Sequence, residues 1–234
     1  MAVVGFDTAT ADTVVCSMRG GSVLREERLG LDSAGSPRHS TALLAEIERA
    51  TAAAGGWDQV DRIVTGLGPG SFVGIRIGIA TARGLAASTG LPVTGVCTLD
   101  ALGRAASEAA GAGRTCLAVL DARRGEAFAA LYAPDGTRLW DPFVAAPGEL
   151  AERAAGLHRP PLAAGSGAVR FRDELASRGV EVPGDADPVH RVAARHLCAL
   201  AEAGGVAGGR LDPIYLRPPD AQRWRERNDA RTAD

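Results

Sequence analysis

Short apolar runs separated by small residues occur in two groups along the chain, and each group predicts three strands. The first group covers residues 2–8, 13–18 and 23–29, and the second covers residues 115–120, 126–132 and 137–144. Short turns of small residues, several of them containing glycine, join successive runs as they do in hairpins. We therefore expect an antiparallel meander at the start of each half of the chain, which indicates a duplicated architecture.

Helical spacing of apolar residues predicts most of the remaining elements. The clearest helices cover about residues 39–54 and 72–88, with a strand over residues 61–67 between them. A strand over residues 92–97 and helices over residues 99–110, 148–155, 169–177 and 189–203 complete the pattern. A loop-like stretch at residues 110–114 divides an N-terminal lobe, residues 1–110, from a smaller C-terminal lobe, residues 111–219. The predicted fold class is therefore α/β with two lobes.

The end of the chain has a different character. Residues 213–219 contain too many prolines for a helix and predict an extended segment that docks on the rest of the protein. Residues 220–234 lack apolar periodicity and predict a disordered tail.

Arginine supplies all 26 basic residues, since the chain contains no lysine. The absence of lysine excludes the phosphate-binding lysine of Walker loops, the strand lysine of protein kinases and Schiff-base chemistry. The formal net charge of −2 argues against an autonomous nucleic-acid binder. Apolar residues make up 46% of the chain and aromatic residues only 4%, so the core must consist mainly of aliphatic side chains and alanine.

Cysteine, histidine and the apolar runs limit the other classes of site. The four cysteines are widely spaced in apolar runs and predict buried free thiols. The four histidines show neither an HExxH pattern nor i, i+4 spacing, so we expect no metal site. No apolar run reaches the ~18 residues that span a bilayer, and the N-terminal sequence does not resemble a signal peptide. A cytoplasmic protein without membrane contact is expected.

A glycine-rich turn between the strand at residues 61–67 and the helix at residues 72–88 is the densest signal for a functional site. Ser71 can cap this helix, and the free N–H groups of the first helical turn can face an anion. Neither a dinucleotide fingerprint nor a Walker loop fits, because Pro69 interrupts the first and the second needs lysine. The sequence leaves open whether the turn is a phosphate site or only a tight turn with a helix cap. The candidate residues of the turn are Gly68, Pro69, Gly70 and Ser71.

Asp7 and Thr8 end the first predicted strand and place a carboxylate beside a hydroxyl. In a nucleotide-binding lobe such a pair could orient Mg²⁺ and phosphate. Most turns of this kind make only local hydrogen bonds. Together with Arg76, which follows the glycine-rich turn, these residues complete the candidate nucleotide-binding set.

Two further patterns each allow two interpretations. Small residues four apart, in the helix at residues 72–88, permit close approach of either the chain's own sheet or a helix of another subunit. They are Gly74, Gly78, Ala82 and Ala86. A charged cluster in the second lobe forms either salt bridges across a hairpin or a polar recognition site in the cleft between the lobes. Its members are Asp121, Arg123, Arg124 and Glu126.

The sequences GFDTAT, GLGPGSFVGIRIG, DARRGEAF and PIYLR, in this order and at these distances, resemble the bacterial TsaB (YeaZ) family over about residues 2–218. The resemblance implies the two-lobed fold of the actin, Hsp70 and sugar-kinase superfamily, built on duplicated β-meanders. It also implies a part in making N6-threonylcarbamoyladenosine in tRNAs that read codons starting with A.

The resemblance further implies a non-catalytic scaffold that dimerises with the transferase TsaD and is joined by the ATPase TsaE. The chain would reach tRNA through this complex. A homodimer of the chain alone is the alternative assembly, which the small-residue face of the helix at residues 72–88 would equally permit. No resident cofactor is expected, apart from ATP or ADP with Mg²⁺ at an interface of the assembled complex. The implied partner surface lies on the two long helices, at Leu43, Leu44, Ile47, Gly74, Ile75, Gly78, Ala82 and Ala86.

One departure from the family pattern weakens a loop-bound phosphate, because Val73 stands where the family usually has threonine. Ala9 stands near the position where active members of the superfamily have glycine, which supports a non-catalytic role. An autonomous ATP-using enzyme of the same superfamily, with Asp7 positioning the metal and residues 68–71 holding phosphate, is the alternative function. A metallopeptidase is the function least consistent with the sequence, because the chain lacks a histidine pair.

Overall fold

Two mixed β-sheets form the framework of the computed structural model, which describes residues 1–111, 113–204 and 211–217. The strands are β1 (Ala2–Asp7), β2 (Thr13–Arg19), β3 (Ser22–Leu29), β4 (Arg62–Gly66), β5 (Val93–Val96), β6 (Cys116–Asp121), β7 (Ala127–Tyr132), β8 (Arg138–Ala145) and β9 (Leu162–Ala164). The helices are α1 (His39–Ala53), α2 (Phe72–Thr89), α3 (Thr98–Ala110), α4 (Pro147–Ala155), α5 (Ser166–Arg170), α6 (Arg172–Ala176) and α7 (Ala194–Glu202). The tail predicted at residues 220–234 lies outside the described residues.

The two sheets share one topology. The first has the strand order β3-β2-β1-β4-β5, and the second has the order β8-β7-β6-β9. In each sheet three consecutive antiparallel strands form a meander, and a later strand pairs in parallel with the first of them. β6 to β9 therefore repeat the arrangement of β1 to β4, and the predicted duplicated α/β architecture is confirmed.

Neighbouring positions of each strand face different hydrophobic clusters, because successive side chains of a strand point to opposite faces. Val3 packs in a central cluster with residues of α3 and α7, whereas Val4 packs with residues of α1 and α2. In the second sheet Ala118 joins the same central cluster, and Leu117 packs with residues of α4, α5 and α6. A helical layer of α3 and α7 thus lies between the two sheets and joins the lobes.

The extended segment of residues 211–217, here called the strap, crosses from the first lobe to the second. Ile214 donates its backbone N–H to the Leu67 carbonyl at 2.8 Å. Arg217 donates to the Ala122 carbonyl at 2.6 Å, in the hairpin between β6 and β7. The prediction of an extended, docked segment is confirmed for its described part. α7 also returns to the first sheet, although its sequence falls within the predicted C-terminal lobe.

Three elements differ from the sequence prediction. β9 was missed, because three residues are too few to show an alternating pattern. The helix predicted over residues 169–177 is divided into α5 and α6 at Phe171, which leaves helical geometry and buries its ring. The helix predicted over residues 189–203 begins only at α7, since a 3₁₀ turn at Pro188–His190 precedes it.

The four cysteines are buried free thiols, as predicted. Burial raises the pKa of the Cys97 thiol to about 12, so this thiol stays protonated at neutral pH. Within the part of the chain that the structure describes, no helix has the length and apolar character needed to cross a membrane.

Gly103 of α3 sets the distance between this helix and β7, because a Cβ there would overlap the Tyr132 ring. We expect Gly103→Ala to lower the free energy of unfolding by about 1–3 kcal/mol, the usual cost of overpacking. Gly84 of α2 has open space at the corresponding position. Gly84→Ala should therefore raise the free energy of unfolding by about 0.5–1 kcal/mol. Urea unfolding of both variants checks the pair, and equal effects of one sign would contradict this account.

Candidate functional site

The glycine-rich turn joins β4 to α2 and is fastened to α3. Its Gly68 has φ +90°, which favours glycine, and the Gly68–Pro69 peptide bond is cis. The N–H of Gly68 donates to the Thr98 hydroxyl at 3.2 Å, and the N–H of Thr98 donates to the Gly68 carbonyl at 2.7 Å. Ser71 caps α2, because its hydroxyl accepts a hydrogen bond from the Gly74 N–H at 3.3 Å. The predicted helix cap is therefore present.

The turn between β1 and β2 packs with its backbone directly on this loop. The Ala9 carbonyl accepts a hydrogen bond from the Ser71 N–H at 2.7 Å. The Thr8 hydroxyl donates to the Gly74 carbonyl at 2.7 Å. A Cβ at Gly70 would overlap the Ala9 carbonyl, and a Cβ at Gly74 would overlap the Thr8 carbonyl. The glycines are therefore needed for contact with the chain's own backbone.

Asp7 lies behind this contact and is 1% exposed. Its carboxylate accepts hydrogen bonds from the Ala9 N–H at 2.5 Å and from the Thr98 hydroxyl at 2.6 Å. A Cβ at Gly66 would overlap the same carboxylate, so the strand approaches it closely. Burial raises the pKa of Asp7 to about 6, and the two hydrogen bonds oppose that rise. The carboxylate serves as an internal acceptor that ties β1 to α3.

The contacts of Asp7 and of the glycine-rich turn show whether Mg²⁺ and a nucleotide phosphate could bind at these predicted residues. Both carboxylate oxygens of Asp7 are engaged within the chain. The N–H groups of Gly68 and Ser71 donate internally, and the first turn fills the space beside Gly70. The residues present do not fit Mg²⁺ and a phosphate at Asp7.

A cleft of about 1040 Å³ lies between the lobes. Gly70 and Ser71 line it, together with the turn after β1, the hairpin between β6 and β7, and the strap. The sequence prediction placed Arg76 with the glycine-rich loop. The structure instead turns this side chain toward the strap. Its Cζ atom lies 3.7 Å from the centroid of the Phe72 ring, and its Nε–H donates to the Tyr215 hydroxyl at 3.2 Å.

The charged cluster of the second lobe forms the hairpin that faces this cleft. Arg123 and Arg124 have positive φ angles of 62° and 55°. Asp121 pairs with Arg170 of α5 at 2.8 Å, and its carboxylate also accepts from the Arg123 N–H. Arg217 of the strap pairs with Glu126 at 2.8 Å. The two acidic residues therefore tie the hairpin to α5 and to the strap. A salt bridge within the hairpin, one of the two predicted possibilities, is also present between Arg123 and Asp121 at 3.8 Å.

The predicted partner residues separate into two groups. Most are buried in the first lobe, so they support the helices and cannot contact a partner directly, which corrects the prediction. Gly78, for example, lies against the Thr8 and Thr65 hydroxyls. Leu44 is 64% exposed and Ala86 is half-buried. The buried residues are Leu43, Ile47, Gly74, Ile75, Gly78 and Ala82.

A second apolar stripe on α2 was missed by the sequence reasoning. Val73, Ile77, Ala80 and Gly84 recur at i, i+4, i+7 and i+11, which is one face of a helix. Val73 is 65% exposed, Ala80 and Gly84 are exposed, and Ile77 is half-buried. The signal was present, since α2 is apolar or small on nearly all sides. Together with Leu44 of α1 these residues form what is here called the outer face.

The chain matches the family model described as TsaD, tRNA N6-adenosine threonylcarbamoyltransferase, over residues 33–175. It is 36% identical to an uncharacterized protein of Mycobacterium tuberculosis over 94% of this chain and 93% of that protein. It is 35% identical to the tRNA threonylcarbamoyladenosine biosynthesis protein TsaB of Escherichia coli over 60% of this chain and 58% of that protein.

A solved structure from Pseudomonas aeruginosa, described as an uncharacterized protein with similarity to peptidase YeaZ, has the same fold. It aligns with a TM-score of 0.75 and 26% identity, over 92% of this chain and 99% of that chain.

Removal of the buried charge of Asp7 should change the pH dependence of stability. The pKa of about 6 in the folded state exceeds the ordinary 3.8, so the folded protein holds this proton more tightly than the unfolded chain. The wild type should therefore lose up to about 3 kcal/mol of stability relative to Asp7→Asn as the pH rises from about 4 to about 7. Urea unfolding of both proteins across this range measures the difference. Parallel stability curves would show that Asp7 does not titrate in this way.

Proposed function

The chain belongs to the TsaB (YeaZ) family, and from this we propose that it takes part in the biosynthesis of N6-threonylcarbamoyladenosine in tRNA. Its role is that of a non-catalytic subunit that pairs with a TsaD-like transferase and is needed for the activity of that enzyme.

The outer face of α2 is the observation that carries the pairing. An apolar face of a helix is normally buried. The inner side of α2 packs on the first sheet, while Val73 and Ala80 on its outer side are exposed in the single chain. Leu44 extends the same kind of surface to α1. Small side chains at Ala80 and Gly84 let a partner helix approach closely. A second subunit is the natural cover for such a face.

A non-catalytic role is supported by the groups that could take part in catalysis, because they are engaged within the chain or kept protonated. Asp7 is an internal acceptor, and the glycine-rich loop is filled by the first turn. Burial keeps the Cys97 thiol protonated at neutral pH. These groups hold the first lobe together, so we assign the transfer chemistry to the partner.

The same proposal assigns the remaining contacts. A TsaE-like ATPase joins the pair, and tRNA is engaged through the assembled complex. ATP or ADP with Mg²⁺ binds at an interface of that complex and not at Asp7, whose carboxylate is hydrogen-bonded within the chain. In the absence of the transferase the outer face pairs with a second copy of this chain.

Depletion of the protein in cells, followed by mass analysis of tRNA nucleosides, tests the pathway. We expect loss of threonylcarbamoyladenosine, with recovery on expression of the wild type. Val73→Glu, which places a charge on the outer face, should fail to restore the nucleoside. Leu139→Glu places the same charge at a 51% exposed leucine of β8 and should restore it. An unchanged nucleoside level after depletion would refute the proposed pathway.

Binding of the purified transferase to the same variants tests the pairing. Because a charge buried in an apolar contact is poorly tolerated, Val73→Glu should weaken binding by about tenfold or more. Leu139→Glu should leave the affinity unchanged, and thermal unfolding should show that both variants are folded. Equal binding by the two variants would refute the outer face as the contact surface.

A further inference from the structure

A groove of about 410 Å³ lies between α2 and the strap. Its floor is apolar, with Ile79 only 6% exposed and Ala80 and Pro213 beside it. Ala80 also belongs to the outer face, so the groove continues the surface proposed to meet the transferase. Arg76, Arg83 and Tyr215 complete its lining.

Arg76 and Arg83 stand at the two ends of this floor and are both exposed. They are seven residues apart on α2, which corresponds to two helical turns and a rise of about 10 Å. Neutral groups hold each of them in place. Arg76 stacks on Phe72 and donates to the Tyr215 hydroxyl, and Arg83 donates to the Leu211 carbonyl at 3.1 Å.

Neither arginine forms an ion pair with a carboxylate among residues 1–111, 113–204 and 211–217. Most other arginines of these segments pair with aspartate or glutamate, as Arg138 does with Asp100. A guanidinium that is already oriented loses little freedom when it binds, and its remaining N–H groups suit a bidentate carboxylate. The groove therefore offers two oriented cations on either side of an apolar floor.

We propose that this groove receives an acidic segment of the transferase partner, in which two carboxylates about 10 Å apart lie on either side of an apolar side chain. This inference rests on the proposed function and names the chemistry of the contact at one edge of the outer face. The apolar floor favours a protein segment over a nucleic-acid backbone, which would need cations without an apolar centre.

Titration of the full-length chain with the TsaD-like transferase of the same organism tests the proposal. Arg83→Glu should weaken binding by about tenfold or more, since it opposes the partner's carboxylate. Arg76→Glu should act in the same direction. Binding by the wild type should weaken as salt increases, and Arg83→Glu should reduce that dependence. Arg159→Glu makes the same charge change in the loop after α4 and should bind as the wild type does.

The possible results distinguish failure of the groove proposal from failure of the proposed function. Failure of the wild-type chain to bind the transferase would overturn both. Normal binding by folded Arg83→Glu and Arg76→Glu variants would overturn the groove alone. The same variants are titrated with unmodified tRNA, and loss of tRNA binding with unchanged transferase binding would also overturn the groove as a peptide site. Thermal unfolding excludes a general loss of structure, and Arg83→Gln repeats the test without introducing a negative charge.

Discussion

The contact between the backbone of the first turn and the glycine-rich loop fixes the position of α2, and the proposed partner surface depends on it. The carbonyls of Thr8 and Ala9 lie where side chains at Gly74 and Gly70 would have to be. Asp7 and Thr98 hold the two sides of this contact together from behind. The N–H groups of Gly68, Ser71 and Gly74 are thereby used within the chain. A sequence that is typical of anion binding serves here to seat a helix rigidly.

Duplication of the topology does not extend to the surfaces of the two halves. In the first half, α1 and α2 are long and leave an apolar outer face exposed. In the second half, α5 and α6 are short helices interrupted at Phe171, and charged ties to Arg170 and Arg217 hold the hairpin between β6 and β7. The central layer of α3 and α7 joins the halves into one framework. The proposed partner surface therefore lies on the first half and on the adjoining part of the strap.

The sequence could predict the meanders, the long helices and the helix cap at Ser71, because each depends on local spacing and turn chemistry. It could not predict which neighbour the small residues of α2 would meet. Gly74 and Gly78 fit a sheet or a partner helix equally well by spacing, and only the fold shows that they face Thr8. The outer stripe that begins at Val73 was masked by the stronger inner stripe. The contact of Arg76 with Tyr215 joins residues far apart in the chain, so no local pattern carries it.

Hydroxyl-radical footprinting of side chains, with and without the TsaD-like transferase, would show whether the outer face is the partner surface. We expect Leu44 and Val73 to lose their labelling when the transferase binds, while Leu139 of β8 keeps it. All three side chains are exposed in the single chain, so each can report. Retained labelling of Leu44 and Val73 in the complex, with protection elsewhere on the chain, would contradict the assignment of the outer face as the partner surface.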